Sequence, residues 1–172
     1  MNHELIQVYE CQACTKQNKA LAEAILSLPE QAFAQRTHLF HGRYENLYIA
    51  AAKLPGLEII LDEALRKAAE LLHLPKETIK LGFWLNIMRK GDVTTLHRHD
   101  DDDELISAVY YVQADATSAP FRLHDRGTIT EVSPHAGRFM FFNPALPHEV
   151  AEQQTDEVRI SIGINFGPSG DD

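Results

Sequence analysis

The sequence is poor in several features that would assign it to a special class of protein. No run approaches the roughly 18 consecutive apolar residues that a membrane-spanning helix needs. No cluster of Lys and Arg stands out, and 16 basic against 25 acidic side chains give a net charge of −9. Since an acidic surface gains nothing from approaching a phosphate backbone, a nucleic-acid partner is disfavoured. There is no internal repeat and no low-complexity linker, and the first residues lack the basic and apolar segments of a secretory signal, so we expect a cytoplasmic protein.

Cysteine is scarce, with only Cys11 and Cys14 in a C-x-x-C arrangement. Such a pair can be a redox centre or one half of a zinc site. A structural zinc usually needs four ligands, and no second C-x-x-C exists. No strand precedes the pair in the way a thioredoxin-like motif requires. We therefore expect two reduced thiols near the start of a helix.

The first 78 residues show helical periodicity. The hydrophobic fraction of 44% and the charged fraction of 24% are those of a globular protein, and the length suits one domain spanning 1–172. Apolar residues recur at three- and four-residue spacing within 20–28 and within 57–72, and Pro29 and Pro75 end these segments. Residues 43–49 fit a short strand or a loop. The sequence predicts a helical buttress over 1–78.

Beyond residue 78 the apolar runs shorten to the length of strands. Many short strands at close spacing, separated by glycine and proline, indicate a β-sandwich or barrel. We expect this mainly β core over 79–167, with the N-terminal helices packed on one outer face. The expected strands are 79–88, 104–112, 121–123, 127–132, 138–142, 149–151 and 158–166.

Histidines and carboxylates cluster just before one of these strands. If the strand 105–112 is extended backwards, its alternation places His97, His99 and Asp101 on one face. A further histidine, His148, follows another strand. Two imidazoles and one carboxylate that leave three positions open form the facial triad of non-haem Fe(II) oxygenases. A solvated His/Asp-rich turn is the alternative reading of the same residues.

A buried cation is expected in the last strand. Arg159 lies eleven residues after His148, at the start of an apolar strand, where a cation needs an anionic partner. The alternation of this strand puts the isoleucines on one face, and Arg159, Ser161 and Gly163 on the other. These small residues leave room for an anionic ligand beside Arg159.

Five ordered segments of the chain resemble the iron(II)/2-oxoglutarate-dependent oxygenases, in particular a small bacterial and phage-type subfamily. The resemblance covers roughly residues 80–167. It is carried by Trp84-Leu85-Asn86 with Gly91, by the strand 105–112 (LISAVYYV), by 121–126 (FRLHDR), by 137–150 (GRFMFFNPALPHEV) and by 159–166 (RISIGINF).

The resemblance implies both a fold and a set of roles. The fold is a double-stranded β-helix, also called a jelly roll or cupin-like fold, with helices packed on one sheet. His148 would be the distal iron ligand, and Arg159 would bind the far carboxylate of 2-oxoglutarate with help from Ser161 and the Tyr111 hydroxyl. The implied cofactors are Fe(II), 2-oxoglutarate as cosubstrate and O2. The implied activity is hydroxylation of a small-molecule or peptide-like substrate, coupled to decarboxylation of 2-oxoglutarate to succinate.

The proximal metal ligands can be aligned in two ways. Counting backwards from Tyr111 without a gap makes His99 and Asp101 the H-x-D pair. Counting forwards from Trp84 and Gly91 places an H-x-H pair on His97 and His99. We favour His99 and Asp101, because a carboxylate completes the ordinary facial triad, and we keep His97 as the reserve ligand.

Two other functions remain open at this stage. A cupin would bind metal through His97, His99, Glu104 and His148 without 2-oxoglutarate, and Gly91 fits the first cupin motif. The second cupin motif fits poorly, because Leu146 stands where glycine belongs. A non-catalytic jelly-roll binding protein would make the histidines incidental. Arg159 discriminates between these readings, because only the oxygenase needs it for a cosubstrate.

Overall fold

Two antiparallel β-sheets and two longer helices build the fold. The computed structural model describes residues 5–99 and 103–170. The elements along the chain are β1 (Ile6–Glu10), α1 (Gln12–Thr15), α2 (Asn18–Leu26), β2 (Gln35–Phe40), β3 (Arg43–Tyr48), α3 (Leu57–Leu72), β4 (Ile79–Met88), β5 (Thr94–His97), β6 (Ile106–Gln113), β7 (Phe121–Asp125), β8 (Thr128–Val132), β9 (Arg138–Phe142), β10 (His148–Val150) and β11 (Arg159–Pro168).

The strands form one large and one small sheet. The seven-stranded sheet has the order β1-β9-β6-β11-β4-β3-β2, and the four-stranded sheet has the order β5-β10-β7-β8. Every strand pair is antiparallel. From β4 to β11 the chain alternates between the sheets except at the β7–β8 hairpin, whose two strands lie in the small sheet, and this is the winding of a double-stranded β-helix. The predicted fold class is therefore confirmed.

The two helices pack on the outer face of the large sheet. The apolar side of α3, which includes Leu57, Ile60 and Ala64, is buried in the same cluster as Ile160 and Ile162 of β11. The three- and four-residue spacing of these side chains gives the helix one continuous apolar stripe, which must be covered. Burying each large aliphatic side chain contributes about 1.5–3 kcal/mol. This packing confirms that the helices lie against one sheet.

A second apolar cluster fills the space between the sheets. Met88, Tyr111 and Met140 come from the large sheet, and Phe121 and Leu123 come from the small one. Arg159 and Ser161 lie on the inner face of β11, whereas its isoleucines belong to the helix-side cluster. The alternation predicted for this strand is confirmed, and it turns a row of small and polar residues towards the interior.

The N-terminal part contains two strands that the sequence pattern did not predict, β1 and β2, and a third, β3, in the segment that fitted a strand or a loop. β1 pairs with β9, and β2 and β3 form a hairpin at the opposite edge of the large sheet. Nearly all of β2 is exposed, so it has no apolar alternation that would reveal a strand. Cys11 and Cys14 form a disulfide, contrary to the reduced thiols expected from the sequence. None of the helices in the described part of the chain is both long and apolar enough to cross a membrane.

The histidine-rich segment also differs from expectation. β6 begins at Ile106 and does not run back to His97, which ends β5 in the other sheet. The prediction that the strand of Tyr111 extends backwards to His97 was therefore wrong, and its alternation does not place the histidines. The chain instead changes sheets between the two strands.

Candidate active site

Three histidine side chains converge in a cavity between the two sheets. His97, His99 and His148 each offer a ring nitrogen, and these atoms lie within 4.8 Å of one another. His97 and His148 are direct partners across the ladder of β5 and β10. His99 follows β5, and its backbone N–H donates to the carbonyl of Pro144 at 2.8 Å. Strand pairing and one loop contact thus bring together residues that are far apart in the sequence.

Backbone carbonyls orient two of the three rings. The Nδ1 atoms of His97 and His148 lie 2.6 Å from the Thr95 carbonyl and 2.9 Å from the Leu146 carbonyl. Because a carbonyl can only accept a hydrogen bond, each Nδ1 carries the proton and each Nε2 keeps its lone pair. A ring held in this way is prepared to bind a metal through Nε2.

The electrostatics of the cavity keep His148 neutral. Burial, the largest cause, and the neighbouring His97 and His99 lower the pKa of His148 to about 3, although the hydrogen bond to the Leu146 carbonyl acts in the opposite direction. A histidine must be neutral to bind a metal ion. His148 is therefore in the binding form at neutral pH.

A buried guanidinium lies in the same cavity. Arg159 is 1% exposed, and it donates from Nε to the Ala119 carbonyl at 3.1 Å and from Nη1 to Ser161 Oγ at 3.2 Å. Its Nη2 lies 3.5 Å from the Tyr111 hydroxyl. Among the described residues, no carboxylate forms an ion pair with Arg159. Burial lowers the pKa of this guanidinium, but arginine stays charged in proteins, so a positive charge is buried here with no countercharge from the described residues.

Trp84 and Asn165 stand where the cavity meets the surface. Both residues line the cavity and also two open grooves next to it. The indole ring lies 5.6 Å from the ring of His99. It packs flat against Gly163, where a Cβ atom would collide with it. One of these grooves is lined by His97 and His99 as well, and the other adjoins the cavity at Trp84 and Asn165.

Most of the site residues predicted from the sequence meet in this cavity. Its lining includes the three histidines, Arg159 and Ser161. Tyr111 is fully buried, and its hydroxyl contacts Arg159.

The sequence also suggested two acidic residues as metal ligands, and the structure describes only one of them. Asp101, which the sequence favours as a metal ligand, lies outside the described residues. Glu104, the additional ligand of the cupin reading, lies apart from the three-histidine group and lines one of the open grooves.

Sequence reasoning missed several polar residues of the cavity. Asn86 and Thr94 are both more than nine-tenths buried and hydrogen-bonded to each other at 2.9 Å. Arg43 of β3 donates to Asn86 Oδ1 at 2.6 Å. The one available signal was an asparagine within the otherwise apolar end of β4. Arg43 and Thr94 gave no signal, because only the folded chain brings β3 and β5 next to β4.

Solved structures with the same fold are readily found, although no protein-family model and no curated protein sequence matches the chain. A prolyl-4-hydroxylase from Pseudomonas putida superposes with a TM-score of 0.76 at 18% identity, covering 98% of this chain and 95% of the other. A prolyl hydroxylase from Trichoplax adhaerens, in complex with a peptide fragment of hypoxia inducible factor, gives 0.71 at 12% identity, with coverage of 96% and 84%. HygX from Streptomyces hygroscopicus, with nickel and 2-oxoglutarate bound, gives 0.68 at 12% identity, with coverage of 96% and 83%.

These similarities concern nearly the whole of each chain. The chain therefore has the double-stranded β-helix fold of 2-oxoglutarate/Fe(II) oxygenase structures, in agreement with the resemblance seen in its sequence. Because one fold hosts many activities, the function has to be argued from the site itself.

Proposed function

We propose that this chain is an Fe(II)/2-oxoglutarate-dependent oxygenase that hydroxylates a small-molecule or peptide-like substrate. In this proposal residues 1–172 act as one domain, in which the N-terminal helices and strands support the double-stranded β-helix. The cofactors are Fe(II), 2-oxoglutarate and O2.

The donor set fits a divalent metal ion. Imidazole suits iron among several transition metals, and His97, His99 and His148 present three such donors in one cavity. We propose these three residues as the metal ligands. The carboxylate favoured from the sequence, Asp101, remains a candidate for the same task, and a variant experiment below separates the two.

The unpaired charge of Arg159 is the observation that carries the proposal. A fully buried cation is costly unless an anion meets it, and none of the described carboxylates does. A guanidinium binds a carboxylate through two parallel hydrogen bonds, which favours a carboxylate ligand over other anions of similar size. Since Arg159 shares its cavity with the histidines, a dicarboxylate could bind Arg159 at one end and the metal at the other.

The protein residues hold and shield the reactants. When bound, iron and 2-oxoglutarate would supply the oxidising chemistry, in which O2 is consumed, 2-oxoglutarate becomes succinate and CO2, and the substrate gains a hydroxyl group. Arg159 and Ser161 bind the far carboxylate and fix the direction of the cosubstrate. Phe121 and Phe142, which line the cavity, exclude water around it.

The grooves next to Trp84 support a polar substrate. One of the two grooves that meet at Trp84 and Asn165 is also lined by Tyr48, Lys80 and Glu104. Aromatic rings beside amide and charged groups suit a peptide or a polar small molecule. Two of the structurally similar proteins are prolyl hydroxylases, and one of them carries a peptide, which supports the same class.

Anaerobic titration tests the proposal directly. Fe(II) is added to the purified protein, then 2-oxoglutarate, and the binding of each is followed by calorimetry and by the weak visible charge-transfer band of the ternary complex. We expect tight binding of 2-oxoglutarate only after the metal. Metal binding without 2-oxoglutarate binding would favour a cupin, and no metal binding would favour a non-catalytic protein.

A further inference from the structure

The strand that carries His97 is weakly held by its own sheet. β5 has four residues and lies at an edge, so β10 is its only neighbouring strand among the described residues. The ladder between them aligns His97 with His148 and Thr94 with Val150, and it is irregular in between. Edge strands have one row of backbone groups without a strand partner. Something else must therefore fix the middle of β5.

A buried carboxylate from the N-terminal hairpin occupies this position. Glu45 of β3 is 2% exposed. Its Oε1 accepts from the Thr95 backbone N–H at 2.9 Å, and its Oε2 accepts from the Thr95 hydroxyl at 3.0 Å. Both carboxylate oxygens of Glu45 thus accept hydrogen bonds from Thr95. The side chain takes the place of the missing neighbouring strand.

The same residue of β5 orients the metal-facing histidine. The carbonyl of Thr95 accepts the hydrogen bond from His97 Nδ1 at 2.6 Å. Glu45 therefore holds Thr95 through its backbone N–H and its hydroxyl, and the carbonyl of the same residue holds the imidazole. The ring of His148 is oriented by the Leu146 carbonyl. His148 itself belongs to β10, which has β5 on one side and β7 on the other.

We propose that Glu45 is a positioning residue for the metal site, acting through Thr95 on His97. This inference rests on the proposed function only in requiring that His97 binds the metal. Partners that orient a metal-bound histidine commonly affect metal affinity by roughly 10–100-fold. Glu45 lies outside the segments that resemble the oxygenases, so the N-terminal part takes part in the metal site as well as supporting the core.

The test measures Co(II) affinity and the visible absorption of the Co(II) form, which reports ligand geometry, together with the melting temperature of the metal-free protein. Glu45→Ala is expected to weaken Co(II) binding roughly 10–100-fold and to alter the absorption spectrum. Glu45→Gln, whose amide can form both hydrogen bonds to Thr95, is expected to recover most of the affinity. Glu131→Ala on β8, the other edge strand of the same sheet, is the control and should bind as the wild type does.

A merely structural role would give a different result. In that case Glu45→Ala would lower the melting temperature of the metal-free protein and leave the Co(II) affinity and spectrum unchanged, and the proposal would be overturned. If wild type itself does not bind Co(II), the proposed metal site fails as well. If wild type binds Co(II) and Glu45→Ala binds it with the same affinity and spectrum, the positioning role of Glu45 is excluded and the proposed metal site stands.

A second pair of variants decides the question if Glu45→Ala does not fold. Thr95→Val removes the hydroxyl that donates to Glu45 and keeps the backbone contact, whereas Thr95→Ser keeps both. Loss of one hydrogen bond to a charged group corresponds to roughly tenfold in affinity. We expect Thr95→Val to bind Co(II) about that much more weakly than Thr95→Ser, and equal affinities would overturn the proposal.

Discussion

The two ends of the cavity are built in different ways. Arg159 and Ser161 are 1% and 3% exposed and lie on β11, which is paired along its length with β4 and from Ile160 to Phe166 with β6. His97 and His99 are only half-buried and come from an edge strand and the loop after it. Central strands fix a side chain through two ladders, whereas an edge strand depends on single contacts. The cation end is thus held by more backbone pairing than the histidine end, and on the proposed function a metal ion would add contacts at the histidine end.

Removal of His148 is expected to have the largest effect on the histidine end. His148→Ala deletes the most buried of the three imidazoles, and we expect it to abolish metal binding. Trp84 is the only tryptophan in the chain and lies beside His99, so its fluorescence should be quenched when Fe(II) or Co(II) binds to wild type. A folded His148→Ala variant that shows wild-type quenching and metal content would contradict this assignment.

Removal of Arg159 should impair the cation end of the cavity and leave metal binding at the histidine end intact. Arg159→Leu is expected to retain metal but to lose 2-oxoglutarate affinity by roughly two to four orders of magnitude, because breaking a desolvated charge pair commonly costs about 3–5 kcal/mol. Calorimetric titration of 2-oxoglutarate into the metal-bound forms measures this loss. Equal affinities for wild type and variant would remove Arg159 from the cosubstrate site.

The proximal ligand can be identified by comparing His97→Ala with Asp101→Ala. The direct pairing of His97 with His148 favours His97, so we expect His97→Ala to lose at least tenfold in Co(II) affinity and Asp101→Ala to lose less. Both are measured by the same Co(II) titration. The reverse order would support the gap-free alignment of His99 and Asp101, and would make His97 a neighbour of the site.

The smallest expected effect is a pH dependence of stability in the metal-free protein. In the unfolded chain His148 binds a proton below its ordinary pKa of 6.5, whereas in the folded chain it does so only near 3. The unfolded state therefore holds more protons between these values, and the free energy of unfolding falls as pH is lowered, by up to about 1.4 kcal/mol per pH unit. Urea unfolding of wild type and His148→Gln at pH 7 and pH 5 should show a steeper loss for wild type.

The core of the fold was largely predictable because its strands have clear apolar patterns. The bounds predicted for 79–88 and 138–142 agree with β4 and β9. β5 was missed, since Thr94–His97 has neither the length nor the alternation of a recognisable strand. β1 and β2 were missed because they lie at sheet edges, where few side chains are buried and pairing rather than pattern defines the strand.

The candidate site was predictable where residue type alone restricts the chemistry. A cation in an apolar strand needs an anionic partner, and the clustered histidines and carboxylates indicated a metal site, with a solvated turn as the alternative reading of the same residues. Glu45 and Asn86 could not be assigned in this way. A lone carboxylate or amide in the sequence is compatible with many environments, and its role depends on which backbone lies beside it.

By itself, the sequence determined the class of fold, the row of small and polar residues around Arg159, and the histidines that can bind a metal. The row around Arg159 follows from strand alternation and from the cost of burying charge, which are local properties, whereas the fold and the histidine ligands were implied by the resemblance of five segments. The tertiary structure decided that His97 lies directly opposite His148, that Glu45 holds the strand between them, and that Trp84 stands at the entrance. Such relations depend on strand register and on the meeting of distant segments, which local sequence patterns do not encode.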